Sequence, residues 1–401
     1  MDIEGLLPEI IQTADSKIVL FVIDGIGGLP RNQGGQTELE AARTPNLDQL
    51  ANSGTTGLID PVSPGVTPGS GPGHLSLFGY DPMKYQVGRG ILSALGVGFE
   101  IGPDDLAARI NFCSVDLHGT VLDRRAGRIS TETCERLCKK LATIHLPDVQ
   151  LFVLPEKEHR ACVVFRGKDI FGEISDTDPQ AVGVPSLPIK PLNERSKKAA
   201  GIITAFLEEV KDKLRDEDKA NMVLMRGFAK HVPFPLFPER YLLKAAAVAG
   251  YPMYRGVSRL TGMEIIPCGP TFADQMKALK DNYQAYDFFY LHYKTTDSRG
   301  EDGDYDAKVR EIETADAAVP EILDLNPDVL VVTGDHSTPA PFSAHSWHPV
   351  PLLLKNQWVL PDRVKRFGER DCINGGLGRL PATAIMPLAL AHAGRLAKFG
   401  A

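Results

Sequence analysis

The chain has 401 residues, too many for one small domain and enough for two or three units, or for one large α/β unit with an insertion. With 43% hydrophobic and 24% charged residues it reads as an ordinary globular sequence, which excludes a disordered, collagenous or coiled-coil chain. A net charge of −7, from 44 Lys+Arg against 51 Asp+Glu, offers no basic excess for nucleic acid, and no apolar run reaches the length of a membrane span. The start, MDIEGLLPEI, is acidic and lacks the basic head of a signal peptide. None of the six cysteines forms a CxxC pair, so a reducing, cytoplasmic setting without a disulfide framework is the expectation.

In chain order, the apolar run Ile18–Ile23 (IVLFVI) predicts a buried parallel strand that ends in Asp24. Residues 44–53 (TPNLDQLANS) predict a helix with Thr44 as N-cap and Pro45 in its first position. Residues 67–74 (TPGSGPGH) form a Gly/Pro loop around one hydroxyl, Ser70, at the entry to a helix (GHLSLFGY). From about Arg109 the pattern changes to shorter β-like runs at 151–154 and 161–165, enriched in arginine. Cys134 and Cys138 fall on a helix there, read as half-buried positions with free thiols rather than a metal pair. This stretch predicts an inserted domain over 111–185, with the proline cluster 185–191 (PSLPIKP) as its return linker and 1–110 plus 186–401 as the discontinuous main domain. Further strands are predicted at 287–292 (DFFYLH), 328–333 (DVLVVT) and 349–354 (PVPLLL), with a charged helix at 307–316 and an apolar helix at 381–396.

The chemistry-bearing residues fall at strand ends. Asp24, Asp297, Asp335, His336 and His345 supply the carboxylates and imidazoles a divalent-cation site needs, and parallel strands bring distant ends together. Ser70 lies in a loop that lets backbone approach a ligand closely, at a helix start that favours an anion. A metal-bound serine is a stronger nucleophile. Arginines scatter through the middle: Arg89, the DRRAGR run with Arg124, Arg125 and Arg128, then Arg160 beside His159, Arg166, and Arg226 with Lys230. Arginine pairs bidentately with carboxylate or phosphate, so these suit a small polyanion.

Taken together in this order, VIDGIGGLP, ARTPNLDQLANSG, the Ser70 loop with HLSLFGYDP, VGRG, DRRAGRIST, SDTDP, KTTD with DGD, TGDHSTP, HSWHPVP and GRLAKFGA resemble the alkaline phosphatase superfamily, and within it the archaeal-type cofactor-independent phosphoglycerate mutases. The resemblance runs along nearly the whole chain. It implies an alkaline-phosphatase-like, mostly parallel sheet flanked by helices, with an inserted smaller α/β domain that binds substrate.

It also implies two divalent ions, Mn²⁺ first with Mg²⁺, Co²⁺ or Zn²⁺ as alternatives, and no bisphosphoglycerate. By position, Ser70 is the nucleophile, Asp24, Asp335 and His336 join it at one ion, and Asp297 and His345 hold the other. The family commonly has a histidine four residues after the Asp297 position, where this chain has Glu301, so Glu301 is the candidate last ligand, with Asp302 or water as the alternative. The implied reaction interconverts 3-phosphoglycerate and 2-phosphoglycerate through a phosphoserine. Arg124, Arg125, Arg128, Arg160, Arg166 and Lys230 would hold the small phosphorylated carboxylic acid, and Asp123 or His159 would move protons. The rival readings are a phosphatase or other phosphotransferase on the same core, and a non-catalytic metal-binding relative. The oligomeric state is not legible.

Overall fold

The structure, a computed structural model, describes residues 3–400. In chain order the strands are β1 (Ile18–Ile23), β2 (Thr55–Asp60), β3 (Asp105–Val115), β4 (Val121–Asp123), β5 (Gln150–Lys157), β6 (Arg160–Arg166), β7 (Met222–Lys230), β8 (Ala245–Val248), β9 (Glu264–Ile265), β10 (Phe288–Tyr293), β11 (Val329–Thr333), β12 (Val350–Asn356) and β13 (Gly378–Pro381). They form two sheets in two compact units, one of residues up to Gln86 and from Phe234 onward, the other Val87–Pro233.

The first unit carries an eight-stranded sheet in the order β13-β2-β12-β11-β1-β10-β8-β9. Its centre is parallel: β1 pairs with β10 on one side and β11 on the other. All six residues of β1 are buried, which is why it reads as an unbroken apolar run rather than an alternating one. Only β12 runs against its neighbours, β11 and β2. β11 spans the predicted 328–333 to within a residue, and β10 is displaced by one from the predicted 287–292.

Local capping differs from the sequence reading at two helices. The helix Pro45–Ser53 forms as expected, but Thr44 makes no side-chain cap. Instead Asp316, in the helix Tyr305–Ala317, accepts from the Leu47 amide at 2.8 Å and the Asn46 amide at 3.4 Å. At the C-terminal end, Pro381 closes β13 rather than opening a helix, because Gly378–Pro381 adds in parallel to the edge of β2. The helix then runs only over Ile385–His392.

The second unit has an antiparallel sheet in which β6 and β7 flank β3, β5 lies outside β6, and β4 pairs with the end of β3. One face packs against the helices Thr131–Leu141 and Lys197–Leu214, whose Cys134, Leu137, Cys138, Ile203, Phe206 and Val210 join Ile110, Phe112, Val163 and Phe165 in one core. The expected borders at 110/111 and 185/186 fall inside this unit. β3 crosses the first without interruption, and Pro185 and Pro191 bridge to Thr120 and Ile174 instead of leading out, so the chain leaves only after β7. Among the described residues, no helix is long and apolar enough to cross a membrane.

Candidate active site

Three adjacent parallel strands deliver the polar groups of the first unit. Asp24 follows β1 directly, Asp297 sits in the helix Thr295–Glu301 after β10, and Asp335 and His336 follow β11 after one glycine. Because these strands are neighbours in register, their carboxyl ends converge although the residues lie up to 312 positions apart. Two groups of ligand atoms result, each within 4.8 Å: Asp24, Asp335 and His336, and Asp297, His336 and His345. His345 comes from the loop before β12, with its Nδ1 2.9 Å from the Pro68 carbonyl and its ring stacked on His336 at 3.6 Å between centroids.

Ser70 is the first residue of the helix Ser70–Leu77, and its Oγ lies 3.3 Å from His336 Nε2. The helix reaches this position because Gly73 packs on the Asp335 backbone, where any Cβ would come within 2.3 Å of the Asp335 carbonyl oxygen. Glu301 stands at the rim, its side chain 57% exposed and its Oε1 3.9 Å from His345 Nε2. His348 bonds Ser346 and stacks on Trp347, outside both groups.

The charge balance fits cations. Asp24, Asp297 and Asp335 are all essentially buried, and Lys294 is the fixed cation among them, 3.2 Å from Asp24 Oδ2 and hydrogen-bonded to Asp297 Oδ2. Burial opposes ionisation of Asp297 and Asp335, but Lys294 and His336 hold the first, and His336 and His74 the second, below the usual carboxylate range. Burial alone would lower His336, yet Asp335, then Asp297 and Asp24, push it up to about 9. Asp24 Oδ1 has no hydrogen-bond partner among the described residues and lies 3.4 Å from His336 Nε2, while Asp335 Oδ2 lies 3.1 Å from both His74 Nδ1 and His336 Nε2. Buried carboxylate oxygens are costly unless something cationic meets them. Carboxylates, imidazoles and one hydroxyl are a donor set for hard to borderline divalent ions. The sequence reading passed over Lys294, His74 and His292. Their only sequence signals were placement four residues after Ser70 for His74, and at or just after a strand end for the other two.

In the second unit the predicted residues divide. Ile110, Ala161, Val163 and Met225 face the core, so Arg109, Arg160, Arg166 and Arg226 face away from it. Arg109 lies directly opposite Arg226, and Asn111 opposite Arg160. His159, in the turn before β6, is 1% exposed and pushed down to about 3 by burial, then by Arg160, Arg109, Arg125 and Arg128. Its Nδ1, Asn111 Oδ1 and Glu156 Oε1 are buried without hydrogen-bond partners among the described residues, as is Arg109 Nε, which lies 3.8 Å from Glu156 Oε2. Arg124 forks onto buried Asp178 at 2.9 and 2.7 Å, with Arg226 3.4 Å from the same carboxylate. Asp123 accepts from the Arg125 and Gly127 amides at 2.8 and 2.6 Å, which makes it the cap of the DRRAGR turn.

Two expected members lie elsewhere. Arg166 forks onto Asp105 at 2.7 and 2.8 Å, six residues along β6 from Arg160, about 20 Å at strand spacing. Lys230 follows a bulge. Val223 and Met225 but also Phe228 enter the core, so the alternation shifts at Gly227, whose φ of +63° suits glycine. Lys230 therefore shares the Phe228 side, 5.6 Å over the Phe171 ring.

An open α/β sheet with acids, imidazoles and a hydroxyl gathered at the ends of its central strands is the arrangement of a ligand-binding enzyme core. Comparison with known proteins gives that core a family. The model of the 2,3-bisphosphoglycerate-independent phosphoglycerate mutases matches residues 51–219. A probable 2,3-bisphosphoglycerate-independent phosphoglycerate mutase of Thermus thermophilus is 50% identical over the whole of both chains, and one of Thermotoga maritima is likewise 50% identical over both. Among solved structures, a Pyrococcus horikoshii protein superposes with a TM-score of 0.82 at 32% identity, over 97% of this chain and all of that one. A cofactor-independent phosphoglycerate mutase of Thermoplasma acidophilum does so at 0.66 and 30%, over 94% of this chain and all of that one. The chain belongs to the 2,3-bisphosphoglycerate-independent phosphoglycerate mutases, a family of phosphoryl-transferring isomerases.

Proposed function

We propose that the protein interconverts 3-phosphoglycerate and 2-phosphoglycerate through a phosphoserine at Ser70. The observation that carries this reading is the Ser70 hydroxyl, 3.3 Å from His336 inside a buried group of carboxylates and imidazoles. Asp24, Asp335, His336 and Ser70 would hold one divalent ion, and Asp297 and His345, with Glu301 at the rim, a second. Mn²⁺ suits this mixed donor set first, with Mg²⁺, Co²⁺ or Zn²⁺ as alternatives. When bound, such ions favour the serine alkoxide and offset charge on the transferring oxygens.

The chain's own groups do the rest. Ser70 Oγ bonds to phosphorus as the bond from phosphorus to the glycerate oxygen breaks; the serine loses its proton and the glycerate oxygen gains one. The step then runs in reverse onto the neighbouring glycerate hydroxyl. The start of the helix Ser70–Leu77 favours the added negative charge. In the second unit, Arg160, Arg125 and Arg128 would hold the glycerate carboxylate, so that the glycerate is not lost between steps. Both Asp123 oxygens already accept backbone amides, which leaves His159 as the other candidate for proton transfer.

The test is turnover of 3-phosphoglycerate in an enolase-coupled assay with Mn²⁺ and no added bisphosphoglycerate. Turnover lost in Ser70→Ala is expected. Absence of turnover, or turnover undiminished in that variant, rejects the reading, and inorganic phosphate released faster than isomer turns it toward a phosphatase.

A further inference from the structure

Behind the inner ligand group lies a buried aromatic layer. His292, the fifth residue of β10, is 1% exposed, and its Nε2 lies 3.1 Å from Asp24 Oδ2. Tyr254 stacks on its ring at 3.8 Å between centroids and a 32° tilt, and the His74 and Tyr290 rings stand 5.4 and 5.7 Å away. These contacts leave the imidazole little room to turn. Asp24 is then engaged on one side only. Oδ2 meets both His292 and Lys294, while Oδ1 is buried, has no hydrogen-bond partner among the described residues, and lies 3.4 Å from His336 Nε2.

A carboxylate in a strand-end turn can rotate about its last bond and present either oxygen. Here one oxygen is committed to a ring donor fixed by packing, with Lys294 beside it, and the other is aimed at the ligand group. From this geometry we infer that His292 is a positioning residue for the inner ion: its Nε2–H holds Asp24 Oδ2, so that Oδ1 alone is left to ligate. Lys294 is a poorer anchor for this purpose, because its ammonium is shared with Asp297 and sits on a flexible stem. Tyr254 is the plate against which the imidazole keeps its angle. Partners behind a ligand commonly change metal affinity by about 10–100-fold.

The inference rests on reading Asp24, Asp335 and His336 as an ion site, and its test reads binding rather than turnover. The full-length apo-protein is titrated with Mn²⁺ and free Mn²⁺ is followed by electron paramagnetic resonance. Wild type is expected to bind two ions. His292→Phe keeps the ring stack and removes the donor; it should weaken one ion by about 10–100-fold and leave the other within about twofold. His292→Gln places an amide donor near the position of Nε2 and should recover most of the loss, whereas His292→Asn, whose amide overlays Nδ1, should not. The Gln and Asn pair decides the matter if the Phe variant does not fold. A merely structural role would lower the apo melting temperature without separating the two affinities or distinguishing Gln from Asn, and that result overturns the inference, as does wild-type binding of both ions by the Phe or Asn variant. Two ions bound with isomerisation indifferent to Ser70→Ala would reject the proposed reaction and leave this inference standing; a wild-type protein that binds no ion would reject both.

Discussion

The two charged regions of this molecule are built in opposite ways. In the first unit, Asp24, Asp335 and His336 follow central parallel strands, Asp297 lies in the helix after another and His345 in the loop before β12, and the carboxylates are buried with few fixed cations to neutralise them. In the second, the basic groups lie in turns and on the sheet face opposite its core, a face that the helix Arg89–Gly96 partly covers. Arg109 stands opposite Arg226, a like-charged cross-strand pair that costs stability by itself. Asp178 offsets part of that charge by taking Arg124 and Arg226 together. One region is short of positive charge and the other short of negative charge. Under the proposed reading, cations would balance the first region and an anionic ligand the second.

The sharpest way to break this comparison is at Ser70. Ser70→Ala should lower isomerase turnover by at least about 10⁴-fold, the scale seen when a nucleophile is removed, with folding preserved by circular dichroism. If Ala retains turnover, the strand-end group is not where the phosphoryl group is transferred.

Next comes cation binding. At 100-fold over its dissociation constant, Mn²⁺ should stabilise the protein by about 2.7 kcal/mol, read as a melting temperature raised by several degrees and reversed by chelator. Asp335→Asn should abolish most of that gain, because it removes one of the buried charges of the inner ligand group. No response in wild type would mean the acidic region is balanced from within.

Within the basic region, Arg160→Ala should cost about 10–100-fold in kcat/KM, the worth of one charge-assisted hydrogen bond to an anion. Arg166→Ala should cost under about threefold, since its guanidinium is engaged by Asp105 at the other end of β6. Equal losses would show that the whole arginine-bearing face, not one end, meets the substrate.

The smallest effect is a pH slope. His159 is held at about 3 in the fold, against about 6.5 in an unfolded chain. Its neutral burial therefore adds stability that is fully present above pH 6.5 and lost as pH falls from there toward 3. The melting temperature of wild type should fall more steeply over that window than that of His159→Gln, by about 1 °C for each kcal/mol of difference in a chain of 401 residues. Parallel curves would mean that the arginines around His159 are already neutralised.

Much of the candidate site was legible because its residues sit where short-range signals end. Asp24 closes an apolar run, Asp335 and His336 follow another, and Ser70 opens a helix after a glycine loop. His292 and Tyr254 were not legible, because nothing local separates a core histidine or tyrosine from one that backs a carboxylate. Arg166 and Lys230 were grouped with the other cations because residue type was readable and sheet position was not. A single bulge at Gly227 moves Lys230 to the other face, and Asp105 engages Arg166. The inserted unit was expected at 111–185 because its change in pattern is visible only where the arginines cluster, whereas its long helix Lys197–Leu214 looks like any other amphipathic segment.

What the sequence determined by itself was the set of buried strands and the polar residues at their ends, since burial on both faces demands an unbroken apolar run and chain reversal demands polar, small residues after it. What only the tertiary structure decided was partnership: which strand lies beside β1, that Asp316 caps a helix some 270 residues away, which oxygen of Asp24 is left over, and where the second unit begins. Those contacts are made between residues hundreds of positions apart, and their energies depend on distances of an ångström or less that no local pattern encodes.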